Sequence, residues 1–496
     1  MIFLRRNMPI FYSAIMLTGV NLLLRFVGTT FQVYLSSRIG PAGIGLLQLV
    51  MSVGSLSLIA AIAGVRTATM YLTAEELGKN RPQNVASVLS CCMVYSFLCS
   101  GGVALALFYF APWIAQHWIG YPEVVSAIRL LAGFLPANCL CGVMTGYFTA
   151  ANRIGTLAAV EVCEQFLSLA TTTVLLILWP GQDAVRAIQA VILGSCAGSM
   201  LTLASLVVLR IREKMAGGSV IPVRSRLLQT AVPLALADDL KAGISTTENL
   251  MVPKRLALYP GVQSSLAAFG TVSGMVFPVL MFPAAILFGL AELLIPELAR
   301  CNAAGSNIRI RYLVKRSLRV TLVYSCIFCG LMYLLAEFLC LQLYDSPEAG
   351  AQLRLYALLI PMLYCDAITD AMTKGLGQQK ICVRYNIVTS AMDVALLFIL
   401  LPRYGMRGYF FSFLVTHALN FALSLRLLLR ISRISMDIKK PLAMAICTVF
   451  SVFTAGLLPS VALRSAAFIT ILGCLLFLLR VLTKEDLQWL KGLLRK

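Results

Sequence analysis

Histidine is nearly missing from this sequence, 2 residues in 496, which removes the commonest general base and the commonest metal ligand from consideration. Charge is scarce as well: 12% of residues are charged, with only 21 Asp and Glu against 41 Lys and Arg. Long polar stretches are absent, so no sizeable soluble domain fits, and no loop carries an acid, base or metal-ligand constellation that catalysis would need. No enzyme activity, catalytic residue, metal or cofactor is therefore expected. What fills the chain is apolar: 59% hydrophobic residues and a mean hydropathy of +0.86, far outside the soluble globular range.

Apolar runs of about 20 residues recur from end to end, each long enough to cross a hydrocarbon core about 30 Å thick as a helix. The expected fold is an all-α polytopic membrane protein with about fourteen transmembrane helices. The first six lie near 9–32, 43–65, 87–110, 124–149, 157–179 and 186–209. A second six lie near 227–252, 266–295, 317–340, 352–374, 384–401 and 407–429, and two more near 441–459 and 465–482. The start, MIFLRRNMPIFYSAIMLTGV, resembles a signal peptide but lacks a small-residue cleavage site, so it reads as a retained first span. The 15 cysteines fall mostly inside spans, where they act as small apolar residues. Cys326 and Cys329 form a C-x-x-C with no second pair and no nearby His, which argues against zinc or redox chemistry.

The net charge of +20 encodes topology. With the N-terminus inside, about 28 of the Lys and Arg fall in cytoplasmic segments and about 7 outside. Both termini are then cytoplasmic, and the basic clusters face anionic inner-leaflet lipid. They lack the interleaved aromatics of single-strand binders, so no nucleic-acid partner is expected.

One stretch departs from the apolar background. LLQTAVPLALADDLKAGISTTENLMVPKR, residues 227–255, places Asp238, Asp239, Lys241 and Glu248 in a segment that must cross the membrane. Charge at the centre of a membrane helix costs roughly 2.5 to 3.5 kcal/mol per group on insertion scales, so it faces protein or water. Asp238, Lys241, Ser245 and Glu248 fall at i, i+3, i+7 and i+10, one helical stripe and the first hypothesis for a polar cavity.

The two sets of six spans align at a shift of about 225 residues, pairing Pro9 with Pro233, Gly19 with Gly243, Gly45 with Gly270, Gly64 with Gly289, Arg129 with Arg354 and Pro136 with Pro361. Six spans separate equivalent positions, so the repeats share one orientation, with an axis along the membrane normal and a cleft between bundles. The expected organisation is a six-helix bundle over 1–209, a basic cytoplasmic linker over 210–226, a second bundle over 227–430, and two further helices with a basic tail over 431–496.

This plan resembles the multidrug/oligosaccharidyl-lipid/polysaccharide exporter superfamily over nearly the whole chain. Asn21, Arg25 and Gly28 in N-x-x-x-R-x-x-G, then IGPAGIGLLQLV at 39–50, resemble its stage V sporulation protein B and polysaccharide-flippase branch. GVRTATMYLTAEELGKN at 64–80 is similar to the second-helix exit of that branch, although Arg66 stands where the pattern more often has an apolar or small residue. The resemblance implies movement of a lipid-linked saccharide, such as a peptidoglycan precursor, across the bacterial cytoplasmic membrane.

On the first span Thr18, Asn21, Arg25, Thr29 and Gln32 form a stripe. Arg25 offers bidentate donors for a phosphate or diphosphate; the alternatives are snorkelling and an internal pair with Glu161 or Glu248. Lys241 would be a second positive point, while Asp238 and Asp239 would either bind H+ or Na+ or hold the cations in place. Glu161, Glu164 and Gln165 share the fifth span, and Glu164 is a cleft-lining candidate. Asp366, Asp370 and Lys374 step by four on the tenth span, which suits an internal Asp370–Lys374 pair. Glu292 reads as a solvated helix end, Asp393 and His417 as satisfied packing groups, and Arg129 and Arg354 as outer anchors. Pro136, Pro278, Pro283 and Pro361 mark possible bends.

The expected substrate-binding set is thus Arg25, Asn21, Lys241, Asp238, Asp239, Glu248 and Glu164. The expected function is a monomeric flippase for a polyprenyl-diphosphate-linked saccharide, working by alternating access, with membrane lipids as neighbours and H+ or Na+ coupling possible but not required. An H+- or Na+-coupled multidrug extruder of the same architecture is the first alternative. An integral membrane glycosyltransferase or polymerase is the second, and a structural scaffold the third.

Overall fold

The computed structural model describes residues 8–62, 64–79, 81–151, 153–179, 183–212, 224–434 and 439–478, and all their regular structure is helical. That follows from the apolar runs: with no water in the hydrocarbon, each backbone amide must find its partner within its own segment. Residues 213–223, most of the expected 210–226 linker, and the basic tail from 479 lie outside the described residues.

Packing divides the chain into two units. The first extends to Gly270 and includes Leu397–Gly405. It comprises α1 (Met8–Ile62), α2 (Val65–Gly78), α3 (Val85–Trp113), α4 (Val125–Ala150), α5 (Ile154–Leu178), α6 (Ala184–Arg212), α7 (Arg224–Leu256) and α8 (Ser265–Gly270). The second holds α9 (Phe277–Met281), α10 (Ala284–Ala303), α11 (Asn307–Tyr344), α12 (Pro347–Ala357), α13 (Ile360–Gly375), most of α14 (Gln379–Tyr404), α15 (Met406–Ser432), α16 (Lys439–Gly456) and α17 (Val461–Leu478). The helix that opens the second sequence repeat, α7, packs with the helices of the first.

A continuous helix as long as α1, 55 residues, would extend about 80 Å, far more than one crossing needs. Gly40 resolves this: its φ of 68° breaks α1 into two arms, with Pro41 opening the second. The core of the first unit gathers Val65, Leu72, Val88, Met144, Phe148, Leu206 and Leu227 from five helices. Two close approaches need glycine. A Cβ on Gly270 would run into the backbone of Gly45 and Pro41, so a repeat-related pair of glycines is in direct contact. At Gly64, with φ +69°, a Cβ would meet the carbonyl oxygen of Ala231 on α7.

The ends of the first unit sort as alternating spans require. Arg226 at the start of α7 pairs with Glu75 and, at 3.2 Å, with Glu76, both at the end of α2. At the other end of α7, Lys254 donates to the carbonyl of His117 beyond α3, and the Arg255 guanidinium lies 3.2 Å from the centre of the Phe398 ring.

Two spans are broken, each at a proline of the second unit. Ser265–Met281 and Ala284–Ala303 meet at 64°, Pro347–Ala357 and Ile360–Gly375 at 58°. Pro283 and Pro361 stand at these breaks, as expected of residues that cannot donate to the preceding turn. Pro136, the repeat partner of Pro361, sits inside an unbroken α4. The carbonyls exposed at the first break are satisfied by tyrosines: Tyr364 donates to Leu280 and Tyr324 to Pro283, both at 2.7 Å.

Among the described residues nine helical stretches are long and apolar enough to cross a membrane, or up to eleven if each bent pair is one span. The expected fourteen is not reached on that criterion. It counts α1 with α2 as one stretch and leaves out α7, with its charges, and α16, which opens on Lys439 and Lys440.

Candidate functional site

The second arm of α1, with Gly64 two residues past its end, meets α7 at two places with a space between them. At one, Gly64 lies against Ala231. At the other, the Thr246 hydroxyl donates to the Ser52 carbonyl at 3.2 Å and the Asn249 amide to the Ser52 hydroxyl at 3.0 Å. Between lies a cavity of about 630 Å³ within the first unit. Its α7 wall is Asp238, Lys241, Ala242, Ser245, Thr246 and Asn249; its α1 wall is Gln48, Met51, Ser52, Ser55, Ile59 and Ile62. Gly64, Arg66 and Thr67 close the α2 end.

Each wall is a helical face. With about 100° per residue, Asn249 lies only about 20° around α7 from Asp238, whereas Glu248 lies about 80° away. The stripe expected from the sequence therefore keeps Asp238, Lys241 and Ser245 and continues through Asn249 in place of Glu248. Asp239, about 100° from Asp238, is half-buried off the lining. Glu248 is also half-buried and has interactions of its own.

Two cations and one carboxylate face this space, with serine, threonine and amide groups around them. Arg66, singled out in the sequence only as a departure from a pattern, supplies the second cation. Glu161 on α5 interacts with it electrostatically, so the local charge balance reaches beyond the lining. Gln48, Ser52 and Asn249 were not anticipated. The signal for Gln48 and Ser52, a polar stripe at positions 48, 52 and 55 of an apolar run, is weak until α7 is known to lie opposite.

The remaining expected site residues lie elsewhere. Arg25 is half-buried on the first arm of α1, engaged in interactions of its own and outside the cavity lining. The Asn21 side chain lies outside the described residues. Glu164 accepts from Thr202 at 2.7 Å and from Ser199 at 3.4 Å, both on α6, which makes it a link between α5 and α6. Gly198 leaves it the room, since a Cβ there would lie 3.0 Å from the Glu164 side chain.

In the second unit, Lys374 pairs with Asp370 at 2.6 Å. Asp366 accepts from Asn420 at 3.0 Å, and Asp393 accepts from Ser412 at 2.6 Å and Thr416 at 3.1 Å. His417 stacks on Phe413, and Glu292 is exposed. Arg129 lies over the Phe108 ring and Arg354 pairs with Glu337 at 3.1 Å. No group of three or more potential metal ligands occurs among the described residues.

Residues 17–174 match the MatE family. The chain is 19% identical to the stage V sporulation protein B of Bacillus subtilis (strain 168), over 96% of each chain. Among solved structures it is similar to the lipid II flippase MurJ in an inward closed conformation, with a TM-score of 0.68 and 13% identity over 93% of this chain and 98% of that one. It is also similar to an inward-facing multidrug resistance MATE family transporter, with a TM-score of 0.67 and 15% identity over 83% and 95% of the two chains.

Proposed function

We propose that this chain, a multi-pass membrane protein of the multidrug/oligosaccharidyl-lipid/polysaccharide exporter superfamily, is a flippase for a saccharide linked through diphosphate to a polyprenyl carrier, working by alternating access and not as an enzyme. The observation that carries the reading is the mixed-charge cavity between α1 and α7. Arg66 and Lys241 suit a diphosphate, and a guanidinium keeps its charge when desolvated. Asp238, Ser52, Ser55, Ser245 and Asn249 supply the acceptors and donors that sugar hydroxyls and amides require. The similarity to the lipid II flippase MurJ and to stage V sporulation protein B supports this choice of cargo. In this reading the sequence repeats 1–209 and 227–430 are the working halves joined through 210–226, the chain acts as a monomer in a bacterial cytoplasmic membrane, and both termini are cytoplasmic. Arg25, Asp239, Glu248 and Glu164 support or follow the site from outside its lining.

The test is flipping of a fluorescent lipid-linked saccharide in proteoliposomes. Lys241→Ala and Arg66→Ala should each lower the rate at least tenfold while insertion and folding stay intact, and Arg25→Ala should lower it too. Unchanged flipping in the Lys241→Ala/Arg66→Ala double variant would sink the assignment.

The cavity also holds Asp238 beside Met51, Ile59 and Ile62, a combination that suits an organic cation exchanged for H+ or Na+. This multidrug reading predicts that Asp238→Asn abolishes drug resistance in a sensitised host, whereas the flippase reading predicts no resistance phenotype to lose.

A further inference from the structure

A second cavity of about 500 Å³ opens beside α7 near its Arg255 end, again within the first unit. Leu56, Leu250, Met251 and Phe398 give it an apolar body, and Trp118, Lys254 and Arg255 stand together among its lining residues. Its chemistry differs from that of the first cavity in one respect: both have two cations, but no carboxylate lines this one. An apolar trough with uncompensated positive charge calls for an amphiphile with an anionic end. Thr246 belongs to both linings.

The polar side chains are held in place before any ligand arrives. The Lys254 ammonium rests on the His117 carbonyl oxygen, and the Arg255 guanidinium lies over the Phe398 ring. Both His117 and Trp118 belong to the π-helical turn Ile114–Ile119, closed by Gly120 at φ +87°. Such π-turns are rare and occur frequently at functional sites. Here the turn brings both the carbonyl and the indole to the end of α7. Gly243, the lining residue without a side chain, would carry a Cβ into open space, with nothing within 4 Å.

We infer that this cavity binds the prenyl-diphosphate portion of the transported lipid, with the diphosphate against Lys254 and Arg255 and the first isoprene units along Leu250, Met251 and Phe398. The inference rests on the lipid-linked reading above. It gives the diphosphate two successive stations, Arg66 and Lys241 in the mixed-charge cavity and Lys254 with Arg255 in the cationic, apolar one, with Thr246 shared between the two linings.

The experiment is a titration of the purified full chain in detergent with farnesyl diphosphate, read as quenching of tryptophan fluorescence. Trp118→Phe should remove the saturable signal. Lys254→Gln/Arg255→Gln should weaken binding at least tenfold, and inorganic pyrophosphate and farnesol should each bind at least tenfold more weakly than the monoester they make up. Gly243→Phe, which fills the cavity without touching a charge, should abolish binding while Gly243→Ala keeps it, with thermal melting checking that both variants fold. Saturable quenching that survives Gly243→Phe would overturn the inference, as would phosphatidylglycerol competing at equal affinity, which would make the site one for bilayer phospholipid. Flipping without farnesyl diphosphate binding would overturn this site and leave the transport reading standing; binding without flipping would do the reverse.

Discussion

Gly64 shows how a single residue shapes the cavity. It sits at φ +69°, and a Cβ there would collide with the Ala231 carbonyl oxygen, a backbone atom that cannot rotate aside. Left-handed backbone costs a non-glycine residue roughly 1–2 kcal/mol before any collision. Gly64→Ala should therefore lower stability by about 2 kcal/mol or more and spread α1 from α7, measured as a fall in melting temperature in detergent. An unchanged melting temperature would show that this approach is not needed. The α7 residues Asp238, Lys241 and Ser245 were legible because charge in an apolar run is costly and their spacing has a helical period. Asn249 was not, because an uncharged amide raises no such alarm, and Glu248 was included because it does. Arg66 was visible as an oddity, but its role depends on which helix faces it, and that is a tertiary fact.

At the scale of elements, apolar length specified the helices and proline marked candidate breaks without deciding among them. Pro136 and Pro361 are repeat partners, yet only the second lies at a sharp bend. A third proline, Pro283, shows what a bend requires, namely hydrogen-bond partners for the backbone groups it frees. At the break before α10, Tyr364 from α13 and Tyr324 from α11 supply those partners. Tyr364 is 1% exposed, so its hydroxyl is the one within reach of the Leu280 carbonyl where water is excluded. Tyr364→Phe should destabilise the chain by about 1–3 kcal/mol, the cost of an unsatisfied buried acceptor, and Tyr324→Phe by less, because that site is only partly buried. Thermal unfolding of both single variants and the double variant tests the order; equal losses would show that burial does not set the cost. The repeat itself predicts like folds for like segments, so such bends stay hidden in sequence until their partners are known.

For the whole molecule, the low acid content and the two cations in the cavity bear on energetics. A diphosphate ester carries about two negative charges, and an inside-negative potential of 100 mV favours its outward movement by roughly 2.3 kcal/mol per charge. The two charges together supply roughly 4.6 kcal/mol, enough to bias flipping by more than a thousandfold at equilibrium. For the proposed cargo a sodium or proton gradient is then not required, in contrast to the export of an organic cation, which must move against the same field. Flipping in proteoliposomes should accelerate when a potassium diffusion potential is imposed negative on the side of Arg226. It should persist with Na+ absent and pH equal across the membrane, and whatever rate Asp238→Asn retains should show the same independence of both. Strict dependence on Na+ or on a pH gradient, lost in Asp238→Asn, would instead make Asp238 a coupling carboxylate and turn the charge balance of the cavity toward the multidrug reading.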